Sequence, residues 1–86
     1  NFYQYESEIS FNKKNLIFFE NKGTIIKIDE NYKVLWKRNY YTKNEKKLEP
    51  ILQFTNQGKF LIVTDNIAKY YMLDMETGEL IWSKNS

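Results

Sequence analysis

Asp74-Met-Glu-Thr-Gly-Glu-Leu-Ile-Trp82 is the stretch that decides the fold, because a looser copy of it occurs earlier in the chain. The earlier copy runs from Asp29 to Trp36 and ends in Val-Leu-Trp where the later one ends in Leu-Ile-Trp. The two aspartates lie 45 positions apart and the two tryptophans 46, so the copies differ by one residue within the turn. Such a period indicates one supersecondary unit that the chain uses twice.

The residues upstream of each aspartate match as well. Leu16-Ile-Phe-Phe19 corresponds to Phe60-Leu-Ile-Val63, and both are short apolar runs rich in β-formers. Second β-rich runs follow at residues 24–28 and 69–73, after turn sequences typical of hairpins. Neither set of runs alternates cleanly, as expected for a sheet that is packed on both faces. Roughly 40–50 residues folded as strands is the length of one propeller blade.

The repeat therefore predicts an all-β chain of about two antiparallel four-stranded propeller blades. We assign the first blade to residues 1–42, with a first strand that can belong to a preceding blade, the inter-blade loop to 43–50 and the second blade to 51–86. No helix is expected, and at most a short turn over 42–48, because that segment has no apolar stripe and Pro50 follows it.

The number of repeats also indicates whether the chain can form a closed propeller by itself. Propellers use typically about four to eight blades, so two blades cannot close a ring. We expect an excerpt of a longer chain. The alternative is a complete chain that oligomerises through its exposed blade faces.

Composition excludes several kinds of site. The 86 residues are 42% apolar and 17% aromatic, which favours a folded chain over a disordered one. There is no His and no Cys, so zinc sites built on these residues, Ser-His-Asp triads, Cys nucleophiles and disulfides are excluded within this segment. No apolar run approaches about 20 residues, so no membrane span is expected.

Charge argues against a nucleic-acid partner. Thirteen basic and eleven acidic residues leave a net charge of +2, and Arg38 is the one arginine. The densest basic group, Lys43, Lys46 and Lys47, is interrupted by Glu45, which favours a solvated loop over a phosphate site. We therefore predict protein partners or neighbouring blades, and no nucleic acid.

The tryptophans and aspartates of the repeat each have two interpretations. Trp36 and Trp82 can be stacking platforms for a ligand, but their equivalent positions favour inter-blade packing, since a ligand-binding residue is not needed in every blade. Asp29 and Asp74 can be a pair of catalytic carboxylates, but equivalent sites in neighbouring blades do not face each other. Capping of a turn, by accepting backbone N–H groups, is the favoured role of both aspartates.

The turn after each aspartate needs a residue with positive φ. Gly78 supplies it in the second copy, whereas in the first copy Asn31 or Tyr32 must do so, and Asn tolerates this conformation better. Tyr40 and Tyr41 follow the fourth strand of the first copy, where a loop between blades can present a ring to a partner. This pair is our predicted partner contact.

The stretch from Asp74 to Trp82 resembles the repeat of pyrroloquinoline-quinone (PQQ)-type propellers, in which an Asp ends the third strand and a Thr-Gly turn precedes two aliphatic residues and a Trp. Residues 23–36 resemble a degenerate copy without the Thr-Gly. Members of this family include quinoprotein dehydrogenases, BamB-type lipoproteins of outer-membrane assembly and lumenal stress-sensor domains. The Trp of the family repeat docks against the adjacent blade, which implies that role for Trp36 and Trp82.

The resemblance implies a non-catalytic scaffold for protein–protein contacts, of the BamB type, in the periplasm or cell envelope. The alternative that it implies is a blade pair from a PQQ-dependent dehydrogenase, which binds the quinone and Ca²⁺ or a similar ion near the propeller axis. No catalytic, cofactor-binding or metal-binding residue of that enzyme can be assigned in these 86 residues. We therefore expect no cofactor in this segment and favour a role that is not enzymatic.

Overall fold

Two antiparallel four-stranded sheets make up the computed structural model, which describes residues 5–7 and 15–85. The first sheet contains β1 (Tyr5–Ser7), β2 (Leu16–Phe19), β3 (Ile25–Ile28) and β4 (Val34–Arg38). The second contains β5 (Leu52–Gln57), β6 (Phe60–Asp65), β7 (Lys69–Asp74) and β8 (Leu80–Asn85). Within each sheet the spatial order of the strands is their order in the chain. The prediction of two four-stranded β-blades is confirmed.

The segment between the sheets contains one short helix, α1 (Lys43–Lys47), where we expected at most a turn. Thr42 is its N-cap: the Thr42 hydroxyl accepts the Glu45 N–H at 3.2 Å, and the Glu45 carboxylate accepts the Thr42 N–H at 2.8 Å. This reciprocal pair is a capping box, and Thr-x-x-Glu is its sequence signature. The Lys69 ammonium on β7 lies 3.3 Å from Glu45 and attaches the helix to the second sheet.

The two sheets reproduce the sequence repeat in their strand register. Trp36 on β4 pairs with Lys27 on β3, and Trp82 on β8 pairs with Met72 on β7. Both pairings shift register at the next residue of the third strand, so each sheet carries an irregularity at the same place. An extra residue on one strand of a pair re-aims the side chains beside it. Each tryptophan is therefore presented on the same face of its own sheet.

The hydrophobic core lies between the two sheets. Phe19 pairs with Ile25 and Ile17 with Lys27, so these side chains share one face with Trp36 and point at the second sheet. The rings of Phe19 and Phe54 meet edge to face across the gap, with their centroids 6.1 Å apart. The buried cluster consists of Ile17, Phe19, Ile25, Trp36, Tyr41, Leu52, Leu61, Val63, Tyr71, Leu73 and Met75.

Candidate interaction surfaces

Trp36 joins the first sheet to the turn between β7 and β8. Its indole N–H donates to the Met75 carbonyl at 3.0 Å, and the residue is only 6% exposed. The ring lies directly against Gly78, where an added Cβ would be 2.6 Å from a ring carbon. Glycine is required at this position both for the close approach and for its φ of +78°. We call residues 74–78 the docking turn.

Other side chains of the first blade also hold the backbone of the docking turn. The Lys27 ammonium donates to the same Met75 carbonyl at 2.9 Å, so that oxygen accepts two hydrogen bonds. The Arg38 guanidinium donates to the Thr77 carbonyl at 3.0 Å, and the Tyr40 hydroxyl donates to the Gly78 carbonyl. The Met75 carbonyl, which lies in a buried environment, is thereby satisfied.

Lys27 is a buried cation, and the residue is only 4% exposed. Burial lowers the pKa of its ammonium, and the nearby carboxylates of Glu76 and Asp74 oppose that shift. Lys27 is not among the functional residues predicted from the sequence. The signal was available, since it is the one charged residue among the isoleucines of β3.

Asp29 and Asp74 each engage their own turn. The Asp74 carboxylate accepts the Glu76 N–H at 2.8 Å and the Thr77 N–H at 3.3 Å. The Asp29 carboxylate accepts the N–H groups of the second and fourth residues after it, at 2.8 and 3.0 Å. These hydrogen bonds are those that turn capping requires. The two carboxylates belong to turns of different sheets and are not brought together as an acid–base pair.

Tyr32 takes the place of Gly78 in the first blade. Its N–H donates to the Asp29 carbonyl, as the Gly78 N–H does to the Asp74 carbonyl, and its φ is +64°. The more tolerant Asn31 is not the residue with positive φ, because the turn geometry assigns that conformation to the residue three positions after the aspartate. Unlike Gly78, Tyr32 carries a side chain, and the residue is 82% exposed.

The predicted partner contact at Tyr40 and Tyr41 is wrong for Tyr41, which is only 6% exposed. Its ring fills the space above Gly23, and its hydroxyl donates to the Asp65 carboxylate at 2.7 Å. Tyr40 is half-buried, and its hydroxyl donates a hydrogen bond to the docking turn. Both rings pack against Tyr71, so the pair joins the two blades rather than facing solvent.

Hydroxyl groups form a short chain in this buried region. Tyr71 donates to the Tyr41 hydroxyl at 3.1 Å, and Tyr41 donates to Asp65. Burial raises the pKa of both tyrosines well above its ordinary value of 10.0, and for Tyr41 the neighbouring Asp65 carboxylate adds to the rise. Both phenols therefore stay protonated in the folded chain.

The face of the second sheet that points away from the first is not covered by any of the residues that the structure describes. Met72 pairs with Trp82 and Ile62, and Thr64 pairs with Tyr70, so these five side chains share that face. We call this surface the β8 face. Trp82 is 39% exposed and meets the Tyr70 ring edge to face, with centroids 5.8 Å apart.

A basic cleft lies where the hairpin between β2 and β3 meets α1. It is open, has a volume of about 430 Å³ and is lined by Glu20, Lys22, Thr24, Asn39, Lys43, Lys46 and Lys47. The Asn39 amide builds it by donating to the Lys22 carbonyl at 3.1 Å and to the Thr24 hydroxyl at 2.9 Å. The sequence showed the three helix lysines as a basic group, which we interpreted as a solvated loop, whereas Lys22 on the other wall was not predicted.

Over residues 5–7 and 15–85, no three side chains of the types that ligate metals are grouped so that they could hold an ion. Within the same residues, no helix has the length and apolar character needed to cross a membrane.

The paired sheets, joined through a tryptophan and a turn, define blades of the β-propeller type. Among solved structures, the chain is similar to BamB from Moraxella catarrhalis, with a TM-score of 0.61 and 19% sequence identity. The similarity covers 84% of this chain and 22% of the BamB chain, so this chain spans about a fifth of that protein. At this identity the likeness concerns the fold. No protein-family model and no curated protein sequence matches the chain.

Proposed function

We propose that this chain is part of a non-catalytic β-propeller scaffold that binds other proteins, of the PQQ-like repeat type found in outer-membrane assembly lipoproteins, and that it works in the cell envelope. The blade architecture and the fold-level likeness to BamB support a propeller. The envelope location and the PQQ-like repeat rest on the sequence resemblance at residues 74–82.

The basic cleft is the feature of the structure that best supports binding of a protein partner. Four ammonium groups line one cleft with a single carboxylate, Glu20. Within the described part of the chain, none of these four lysines has a carboxylate within 4.0 Å. Like charges held together without counter-charges favour an anionic occupant, and complementary charge gives an interface its specificity and on-rate. The partner surface that fits this cleft is an acidic segment of a protein.

Charge reversal tests the proposal. A variant with Lys22→Glu, Lys43→Glu and Lys47→Glu changes the cleft. Its matched control, Lys33→Glu, Lys37→Glu and Lys59→Glu, changes the net charge equally at exposed positions outside the cleft. The readout is chemical cross-linking of the full-length protein in envelope extracts, followed by identification of the captured proteins. We expect the cleft variant to lose a specific partner that the control retains.

Two outcomes would contradict this function. Equal capture by both variants would show that the cleft does not bind the partner. A full-length protein that captures no partner but oxidises alcohols when quinone and Ca²⁺ are added would support the dehydrogenase instead. Capture of the partner by the cleft should also decrease as the salt concentration rises, because contacts between exposed charges weaken with ionic strength.

A further inference from the structure

Helix α1 forms one wall of the basic cleft, but it is too short to be stable by itself. It has five residues, and none of them is buried. Isolated helices shorter than about 12–15 residues are marginal in water, so this segment needs contacts with the rest of the chain to keep its shape. The arrangement of its three cleft lysines, Lys43, Lys46 and Lys47, therefore depends on what holds the helix.

Glu45 makes the contacts that hold α1 in place. Its carboxylate oxygen Oε1 accepts the Thr42 N–H at 2.8 Å, which closes the capping box, and it also pairs with the Lys69 ammonium at 3.3 Å. Lys69 is itself fixed, because it donates to the Tyr40 carbonyl at 2.6 Å and its ammonium lies 5.0 Å from the centre of the Tyr41 ring. One carboxylate oxygen thus joins the start of the helix to the second blade.

Glu45 does not face the cleft, although it lies between the cleft lysines in the sequence. Those lysines are three and four positions apart and share one side of the helix, whereas Glu45 is two positions from Lys43 and lies on another side. The residues that line the cleft include the three lysines of α1 but not Glu45. Its carboxylate is directed to Lys69 of the second blade instead.

We propose that Glu45 is a positioning residue of the basic cleft: through the capping box and Lys69 it keeps the three lysines of α1 opposite Lys22. This inference rests on the proposed function, since it concerns how the cleft binds an acidic segment. By charge alone, removing an acidic residue beside a basic cleft should strengthen the binding of an anion. Removing Glu45 should weaken it, because the ordered form of α1 would be populated less often.

Two substitutions of Glu45 separate its position from its charge. Glu45→Gln and Glu45→Ala remove the same negative charge, but glutamine keeps an oxygen that can accept the Thr42 N–H in a capping box. Thr42→Ala removes the other half of the box without a change of charge, and Thr42→Ser keeps the hydroxyl. Glu49→Ala is the matched control, because it removes a negative charge at an exposed residue near the same lysines and outside the capping box.

The probe is a fluorescein-labelled hexaglutamate peptide, and its binding to the full-length protein is measured by fluorescence anisotropy at low salt. The cleft variant with three charge reversals shows how much of this binding uses the cleft. Urea unfolding checks that each variant is folded. Hydrogen exchange of residues 42–48, measured by mass spectrometry, reports the order of α1, since the amides of Lys46 and Leu48 donate to carbonyls within this segment.

We expect Glu45→Ala and Thr42→Ala each to weaken probe binding by about fivefold, the factor by which loss of a typical cap disfavours a helix. Both should also speed hydrogen exchange over residues 42–48. Glu45→Gln and Thr42→Ser should bind the probe within about twofold of the wild type, because an exposed ion pair contributes little once the cap is kept. Glu49→Ala should bind it at least as tightly as the wild type.

Two results would overturn the inference and leave the proposed function standing: equal affinities of Glu45→Gln and Glu45→Ala, or an unchanged affinity of Thr42→Ala. Thr42→Ala decides the matter if Glu45→Ala fails to fold. Undiminished probe binding by the cleft variant with three charge reversals would be a different failure. It would count against the proposed function, and the positioning role of Glu45 would fall with it.

Discussion

The two blades present equivalent faces, but that of the first blade is covered and that of the second is open. Comparing them shows which residues of the repeat contact a neighbouring blade and which merely recur in both copies. Trp36 is 6% exposed and Trp82 39%. The two aliphatic residues before each tryptophan do not follow this difference, since all four are between 40% and 53% exposed in both blades. The tryptophan alone is therefore the docking residue, although the sequence signature includes the aliphatic pair.

Polar contacts differ between the two faces as well. Lys27 and Arg38 hold the docking turn by hydrogen bonds to its carbonyls. Their counterparts by register are Met72 and Lys84. A blade that covers the β8 face thus meets a thioether where the first interface has an ammonium, so its contact rests more on apolar burial.

Replacing each tryptophan by alanine should give the largest difference in stability between the two blades. Trp36→Ala removes a buried ring and an indole hydrogen bond, and we expect a loss of about 3–5 kcal/mol in the free energy of unfolding. Trp82→Ala should cost about 1 kcal/mol, because that ring is partly solvated and mainly loses its contact with Tyr70. Urea denaturation of both variants measures the difference. Equal losses would show that Trp36 does not hold the blades together.

A pair of glycine variants isolates the close approach to Trp36. Gly78→Ala and Gly58→Ala both place a side chain at positive φ, +78° and +60°, which costs about 1–2 kcal/mol in either case. At Gly58 nothing lies within 4 Å of the new Cβ, whereas at Gly78 the Trp36 ring is 2.6 Å away.

Overpacking should therefore add about 1–3 kcal/mol to the loss at Gly78 alone. Thermal and urea unfolding of the two variants give this difference directly. A difference near zero would mean that the ring moves aside freely.

Alkaline pH should destabilise the fold through the second blade. Tyr71 has Ile26 as its counterpart in the first sheet, so the hydroxyl chain with Tyr41 has no equivalent there. The pKa of both phenols is raised in the fold, so above pH 10 the unfolded chain loses protons that the folded chain keeps. Stability then falls with rising pH, by about 1.4 kcal/mol per pH unit for each such tyrosine.

The double variant Tyr41→Phe and Tyr71→Phe removes both groups and should flatten the decline. The check is the free energy of unfolding from pH 8 to pH 11 in the wild type and in the double variant. An equally steep decline in the double variant would assign the effect to other groups.

Lys27→Met should have the smallest effect, because the Met75 carbonyl keeps its bond from Trp36. The folded-state pKa of Lys27 is lowered by burial, so between that pKa and 10.5 the unfolded chain holds more protons and wild-type stability rises with pH. The variant should therefore be slightly more stable than the wild type at neutral pH, and this advantage should shrink over the window.

The exposed Lys37→Met serves as its control. It removes a charge and adds a methionine without touching the interface. The predicted pH dependence is tested by measuring the free energy of unfolding of the wild type, Lys27→Met and Lys37→Met at several pH values. Parallel curves for Lys27→Met and the wild type would contradict the prediction.

Local features of this fold could be predicted from the sequence. Strands, hairpins and the Asp-to-Trp turn depend on residues close together in the chain, so the repeat alone predicted both blades. Helix α1 was missed although Thr42 and Glu45 carry its capping box. The positive φ of Tyr32 was foreseen only as one of two alternatives, because backbone hydrogen bonding in the turn, and not residue preference, decides it.

By itself, the sequence determined that two blades form and that Trp36 and Trp82 occupy equivalent places in them. Only the tertiary structure decided that one tryptophan is buried and the other open, that Tyr41 is internal and that Lys27 bonds to Met75. The contacts that decide these points join residues 24 to 48 positions apart, across the gap between two sheets. Local periodicity specifies which side chains share a face, but only the packing of one blade on the next decides which of those faces is buried.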